Sequence, residues 1–238
     1  LFRDIIICIV FSQEVFMTFT APPEIFTSIS DLLCAIAATV FFFILLRDKS
    51  TVARLWKVVM CSLAISSYIG FTVHLLEWNE SFEQVVWVIL PVFMCIACSM
   101  FSVVSVSDVF PRHTKTALIV FSSMCVLSYA GLLALYFAYR GSKFLVVYTF
   151  YAIVCILFSA AMFGYSFIKT KKKSYLLYLI GILCEVPGGI VQAKRDLYFT
   201  LIWKMDYNTV YHMILLTTVI FFMAGYLQSR KEKSAENN

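Results

Sequence analysis

Leu32-Leu33-Cys34-Ala35-Ile36-Ala37-Ala38-Thr39-Val40-Phe41-Phe42-Phe43-Ile44-Leu45-Leu46 runs without a charge and then stops at Arg47-Asp48-Lys49-Ser50. Extended back to Ile25, the segment is interrupted only by Asp31. A helix rises about 1.5 Å per residue and a bilayer core is about 30 Å thick, so a run of about twenty apolar residues is long enough to cross it. The same pattern recurs along the chain. Six further candidate spans lie near 55–77, 84–109, 116–139, 144–168, 174–193 and 207–228. Short charged or turn-forming connectors separate them, among them Trp78-Asn79-Glu80-Ser81, Pro111-Arg112-His113, Arg140-Gly141-Ser142-Lys143 and Lys169-Thr170-Lys171-Lys172-Lys173. Connectors this short make sequential helices antiparallel neighbours. The link between the sixth and seventh spans, with Lys194-Arg195-Asp196 and Trp203-Lys204, is the longest and has room for an interfacial turn.

Composition agrees with this reading. Of 238 residues, 61% are hydrophobic, 17% aromatic and 14% charged, with a mean hydropathy of +0.87. A soluble domain carries roughly 25% charge, so an aqueous globule is excluded. A transmembrane barrel is excluded as well, because its strands alternate apolar and polar residues over about ten positions. The predicted fold is all-α, a polytopic seven-helix membrane bundle forming one domain over residues 1–238. Residues 1–24 read as an extracytoplasmic or interfacial lead segment and residues 229–238 as a cytoplasmic tail. Ile5-Ile6-Ile7-Cys8-Ile9-Val10-Phe11 resembles the apolar stretch of a signal peptide, and Pro22-Pro23 marks a break after it.

The cations set the expected orientation. Arg47, Lys49, Arg54, Lys57, Arg112, Lys115, Lys169, Lys171, Lys172, Lys173, Arg230, Lys231 and Lys233 fall on one side, and Arg3, Arg140, Lys143, Lys194, Arg195 and Lys204 on the other. The positive-inside rule then places the N-terminus outside and the C-terminus in the cytoplasm. The net charge of +5 calls for no nucleic acid, since no cationic stripe is interleaved with aromatics on a polar domain. Contact with anionic lipid accounts for it. The expected partners are membrane lipids, with a second copy or another membrane protein as further options, and the sequence leaves plasma membrane and endomembrane equally open. All eight cysteines lie in apolar stretches and imply no disulfide framework; Cys95-Ile96-Ala97-Cys98 has redox spacing but sits mid-span.

Ionisable groups in hydrocarbon are costly and mark candidate sites. Asp31 in helix one, with Ser28 and Ser30, is such a group, as are His74 and Glu77 late in helix two and Glu83 at the start of helix three. Glu185 and Gln192 in helix six, and Asp206, Asn208 and His212 at the start of helix seven, complete the set. Asp206 also has the chemistry of a helix cap. With the predicted directions, all of these fall in the outer half of the bilayer. Imidazoles and carboxylates at one depth suit zinc, so His74 and His212 are candidate ligands, with Glu77, Glu83 or Asp206 to complete the set. Glu185 stands in Cys184-Glu185-Val186-Pro187-Gly188-Gly189, where proline and two glycines permit an opened turn beside an intramembrane carboxyl. The candidate intramembrane polar site is Asp31, Glu185, Gln192 and Asn208. Asp108 is expected to pair at the surface with Arg112 or Lys115.

Phe71-Thr72-Val73-His74, the acidic start of helix three at Glu83, and Trp203 through Asp206-Tyr207-Asn208-Thr209-Val210-Tyr211-His212 together resemble the CREST superfamily of seven-helix membrane proteins. That group includes alkaline ceramidases, progestin and adipoQ receptors and myomaker-type proteins. The resemblance implies zinc held by a helix-two histidine and a histidine pair on helix seven, helped by a helix-two serine and a helix-three aspartate. Here Asn208 stands at the first histidine of that pair, Gly70 at the serine and Glu83 near the aspartate, which leaves His74 and His212. The favoured reading is a non-catalytic, lipid-embedded protein of this fold, acting in membrane remodelling or adhesion or as a subunit of a membrane assembly. The alternatives are a zinc-dependent lipid amide hydrolase and a receptor for a lipid ligand. Serine-hydrolase elbows, phosphate-binding glycine loops and His-Glu-x-x-His are absent from the sequence.

Overall fold

The computed structural model describes residues 20, 22–139, 145–193, 199–200 and 204–237. The helices are α1 (Pro22–Leu45), α2 (Thr51–Leu75), α3 (Glu80–Val109), α4 (Thr114–Tyr139), α5 (Leu145–Thr170), α6 (Lys173–Ala193) and α7 (Tyr207–Asn237). A 3-10 turn, Pro111–His113, joins α3 to α4. Among the described residues, seven helices are long and apolar enough to cross a membrane. The protein is an integral membrane protein built as an all-helical bundle. The expectations for residues 1–19, for the Arg140–Lys143 connector and for Lys194, Arg195, Asp196 and Trp203 fall outside the described residues.

Polar caps set several helix ends. Ser50 Oγ accepts from the Ala53 amide at the start of α2, and Asn79 Oδ1 accepts from the Phe82 amide at the start of α3. Asn79, with Glu80 and Glu83 in the first turn, lets α3 begin ahead of the apolar run that hydropathy alone detects. Between α6 and α7, Phe199–Thr200 pairs antiparallel with Lys204–Met205, which occupies the predicted interfacial turn. The opened turn expected at Pro187 is not formed, for α6 is helical through Pro187 to Ala193. Neighbouring helices can re-satisfy the backbone freed by a proline, and Gly188 packs closely against Ile214 and Tyr211 of α7. Pro91 lies within α3 in the same way.

Helix α1 packs on α2 and α7, α2 on α3, α3 on α4 and α5, α5 on α6, and α6 on α7, so the bundle closes on itself. Helix α4 is peripheral; only 11% of its membrane window is buried. The interior is aromatic at one end. Phe41, Trp56, Phe101, Phe163, Tyr178 and Phe222 form a continuous ring cluster, with Trp56 stacked on Tyr178 at 5.8 Å and Phe101 on Phe222 at 4.7 Å. Two glycines make room for it. A Cβ at Gly181 would lie 2.7 Å from the Phe222 ring, and one at Gly225 2.7 Å from the Tyr178 ring. Midway along α3, Ser99, Ser102 and Ser105 are fully buried and return their hydroxyls to helix carbonyls, and Ser99 also bonds the Tyr151 hydroxyl of α5. Small residues of this kind let membrane helices approach closely.

Beyond the aromatic cluster lies the cation-rich end. Tyr226 donates to Asp48 Oδ2 at 2.5 Å, with Arg230 Nε 3.5 Å from the same oxygen. Glu232 accepts from the Ser174 hydroxyl at 2.6 Å, and Lys172 pairs with Glu236 at 2.8 Å. These bonds account for α7 continuing as helix to Asn237, well past its apolar run. Asp108 pairs with Lys233 of α7 at 2.8 Å, not with the expected Arg112 or Lys115. Its side chain is almost fully buried, and the long lysine reaches it from α7 whereas Arg112 and Lys115 are exposed.

Candidate functional site

At the opposite end of the bundle, α1 carries a buried stripe that changes character along its length. Thr27, Ser30, Asp31, Cys34, Ala35, Ala38, Phe41 and Leu45 recur at helical spacing and are all buried. Ile29, Leu33, Ile36, Val40 and Phe43 on the other faces are exposed to the lipid side. The stripe is therefore polar near the start of α1 and apolar near its end.

Each polar member of the stripe has a partner on α2 or α7. Asp206, 5% exposed, caps α7 by accepting from the Thr209 amide at 2.8 Å and hydroxyl at 2.7 Å, and it also accepts from the Thr27 hydroxyl of α1 at 2.9 Å. Ser28 donates to the Phe71 carbonyl of α2 at 2.9 Å. Ser30 gives its only proton to the Thr27 carbonyl at 2.7 Å, so at 3.3 Å from His212 Nδ1 it accepts. On its other side the His212 ring turns Nε2 to Asp31 Oδ1 at 3.5 Å. Cys34 Sγ donates to the His212 carbonyl at 3.1 Å.

Gly70 of α2 shapes the space around Asp31. A Cβ there would lie 2.6 Å from Asp31 Oδ2. The carboxyl of Asp31 thus fills the volume in which a serine at this position would carry its side chain. Oδ2 itself is buried, with no hydrogen-bond partner among the described residues.

His74, at the end of α2, meets Glu24 at the start of α1, with Nδ1 and Oε2 2.6 Å apart. The His74 and His212 ring centroids are 6.3 Å apart, and Trp87 of α3 lies edge-on to His74 at 6.1 Å. The structure thus gathers His74, His212, Asp31 and Asp206 at one end. Glu77 is exposed beyond the end of α2, and Glu83 is exposed and accepts from the Trp87 indole at 3.0 Å. Asn208 is half-buried in the first turn of α7, and Gln192 is exposed in the last turn of α6. Glu185 is half-buried, with Oε1 enclosed and without a hydrogen-bond partner among the described residues. Among the described residues, no group of three or more His, Cys, Asp or Glu side chains is arranged to hold a metal ion.

Sequence reasoning missed Glu24, which it placed in the lead segment ahead of the first span. The signal was present, since Glu24 stands one turn before Thr27 and Ser28 and two turns before Asp31, on the same stripe.

The family described as a family of unknown function, DUF6962, matches residues 26–231, from the first turns of α1 to the extension of α7. The chain belongs to DUF6962. The match takes in five spans of this DUF6962 protein whole, most of the first and last, and both histidines of the cluster. It is also similar to the bidirectional sugar transporter SWEET8 of Arabidopsis thaliana, at 27% identity over 136 residues, which covers 52% of this chain and 54% of that protein. The chain thus spans about half the length of that curated relative. No solved structure matches it.

Proposed function

We propose that this DUF6962 protein is a non-catalytic, lipid-embedded seven-helix protein related to the CREST group, acting in membrane remodelling or adhesion or as a subunit of a membrane assembly. The observation that carries this reading is the use made of His212. Its two ring nitrogens face Ser30 and Asp31 of α1 at 3.3 and 3.5 Å, so the imidazole is engaged in joining α7 to α1. His74 likewise joins α2 to α1 through Glu24. A zinc hydrolase needs a metal with an open coordination position and imidazole nitrogens free to bind it. The residues that depart from the CREST pattern support the same reading, because Asn208 is a poor zinc ligand and the serine position is Gly70, covered by Asp31.

Two measurements on purified full chain test it. Metal analysis should find no stoichiometric zinc, and His212→Ala should remain folded while losing about 1 to 3 kcal/mol of stability through its broken hydrogen bonds. Stoichiometric zinc lost in that variant, together with lipid amide hydrolysis by the parent protein, would reverse the reading in favour of the hydrolase.

The similarity to SWEET8 favours a second reading, movement of a small polar solute across the membrane. Uptake of labelled hexose into proteoliposomes containing the chain, abolished by Asp31→Ala, would establish it over the first.

A further inference from the structure

A second feature lies at the cation-rich end, far from His74 and His212. Helices α3, α4 and α5 enclose a groove of about 410 Å³ that opens between the helices. Val106 of α3, Ala117, Val120 and Phe121 of α4, and Val154 and Phe158 of α5 line it, so its walls are apolar. The Phe121 and Phe158 rings meet at 5.0 Å. The side chains at its mouth are different. His113 and Thr116 complete the lining there, and the adjacent Arg112 is exposed. Lys169 of α5 belongs to the same rim, because its Nζ sits 5.6 Å over the Tyr165 ring, Tyr165 packs on Phe110 at 5.8 Å, and Phe110 on His113 at 6.4 Å. Asp108, the carboxylate nearest this turn in sequence, is already paired with Lys233.

We propose that this groove is a binding site for an anionic phospholipid, one acyl chain lying along the apolar walls and the headgroup phosphate meeting Arg112 and Lys169 at the rim. The groove supplies what such a lipid presents, an apolar tail joined to a negative head at the depth where a helix ends. Charge selects this occupant over a second copy of the chain, since a copy bringing the same end to this face would set its own cations against these. Each basic residue near an anionic headgroup strengthens binding by about fivefold, so two at one rim discriminate against a zwitterionic lipid. The inference rests on the membrane-embedded reading above but not on the roles of His74 and His212. Zinc in the purified protein would overturn that reading and leave this one standing.

The test uses full-length chain in nanodiscs of phosphatidylcholine containing a minority of phosphatidylserine, with retained lipid counted by native mass spectrometry after extraction. Phosphatidylserine should be retained over phosphatidylcholine. The double variant Arg112→Gln/Lys169→Gln should weaken retention by about fivefold for each cation removed. Val120→Trp should abolish retention by filling the groove from a partly lipid-exposed position, and Thr116→Trp provides a second, independent obstruction. The pair Arg47→Gln/Arg54→Gln, at the same end but off the groove, should leave retention unchanged, and inorganic phosphate should fail to displace the lipid. Thermal melting of each variant identifies any that has unfolded. Equal retention of the two lipids by the parent protein would overturn the proposal, as would retention that survives both tryptophans, equal loss in the Arg47/Arg54 pair, or displacement by phosphate alone.

Discussion

A methyl group on Gly70 would have to occupy space that Asp31 Oδ2 already holds, with 2.6 Å between them. Gly70→Ala is therefore expected to push the carboxyl away from His212 and to cost about 1 to 3 kcal/mol, the range for overpacking an interior, read as a lower melting temperature in detergent. The compensating experiment is sharper. In an Asp31→Ala background the space is vacated, so Gly70→Ser should become nearly neutral, and a double-mutant cycle should show strong coupling between the two positions. Independent, additive losses would mean that the carboxyl does not occupy this volume. The partly satisfied Asp31 also explains how a carboxyl is kept within an apolar span: one oxygen faces an imidazole, the other packs against backbone, and neither meets lipid.

At the scale of the element, α7 is held at both ends by groups that apolar patterning does not detect. Its start depends on Asp206, which accepts from two groups of Thr209 and from Thr27 of α1. Asp206→Ala should cost about 2 kcal/mol or more, combining a lost cap with a lost contact between helices, and Asp206→Asn should recover part of it; both are read by thermal or denaturant melting. At the turn between α5 and α6, Lys171 adopts φ 55°, the left-handed region that an L side chain disfavours, with its amide bonded back to the Phe167 carbonyl at 2.8 Å. Lys171→Gly should raise stability by about 1 kcal/mol. In the connector from α1 to α2, burial raises the Asp48 carboxyl pKa, but hydrogen bonds from Tyr226 and Ser50 and the nearby Arg230 outweigh it and hold the group below the usual carboxylate range. A depressed carboxylate stabilises the fold fully above about pH 4 and loses that contribution as pH falls through its folded value. Asp48→Asn should flatten the acid limb of a stability profile and leave the neutral region parallel to that of the parent.

For the whole molecule, the seven spans were legible because charge is confined to the connectors, and a run of about twenty apolar residues has one common solution in a bilayer. The polar cluster was legible in part for the same reason: Asp31, His74, His212 and Asp206 stand out against apolar neighbours. Glu24 did not, because a carboxylate at the edge of a span reads as part of the segment before it. The partner of Asp108 was hidden by distance along the chain, as Lys233 is 125 positions away and nearer cations compete for the assignment. Pro187 misled because sequence shows the missing amide but not the neighbouring helix that supports the turn. The cation asymmetry predicts a protected C-terminal end in sealed right-side-out vesicles; cleavage of an epitope after Lys233 by external protease would overturn that orientation.

The bonds that close the bundle also impose an order of birth. Thr27 meets Asp206 and Ser30 meets His212 across 179 and 182 positions of sequence, so α1 enters the membrane long before the helix that completes its polar face has been translated. At about 5 to 20 residues per second, that interval is on the order of ten seconds or more. Throughout it, an aspartate, serines and a threonine must face lipid headgroups, α2 alone or the insertion machinery. A ribosome stalled before Tyr207 would leave a nascent protein of correct hydropathy with an unsealed seam, which is the kind of mark that quality control in a membrane can read.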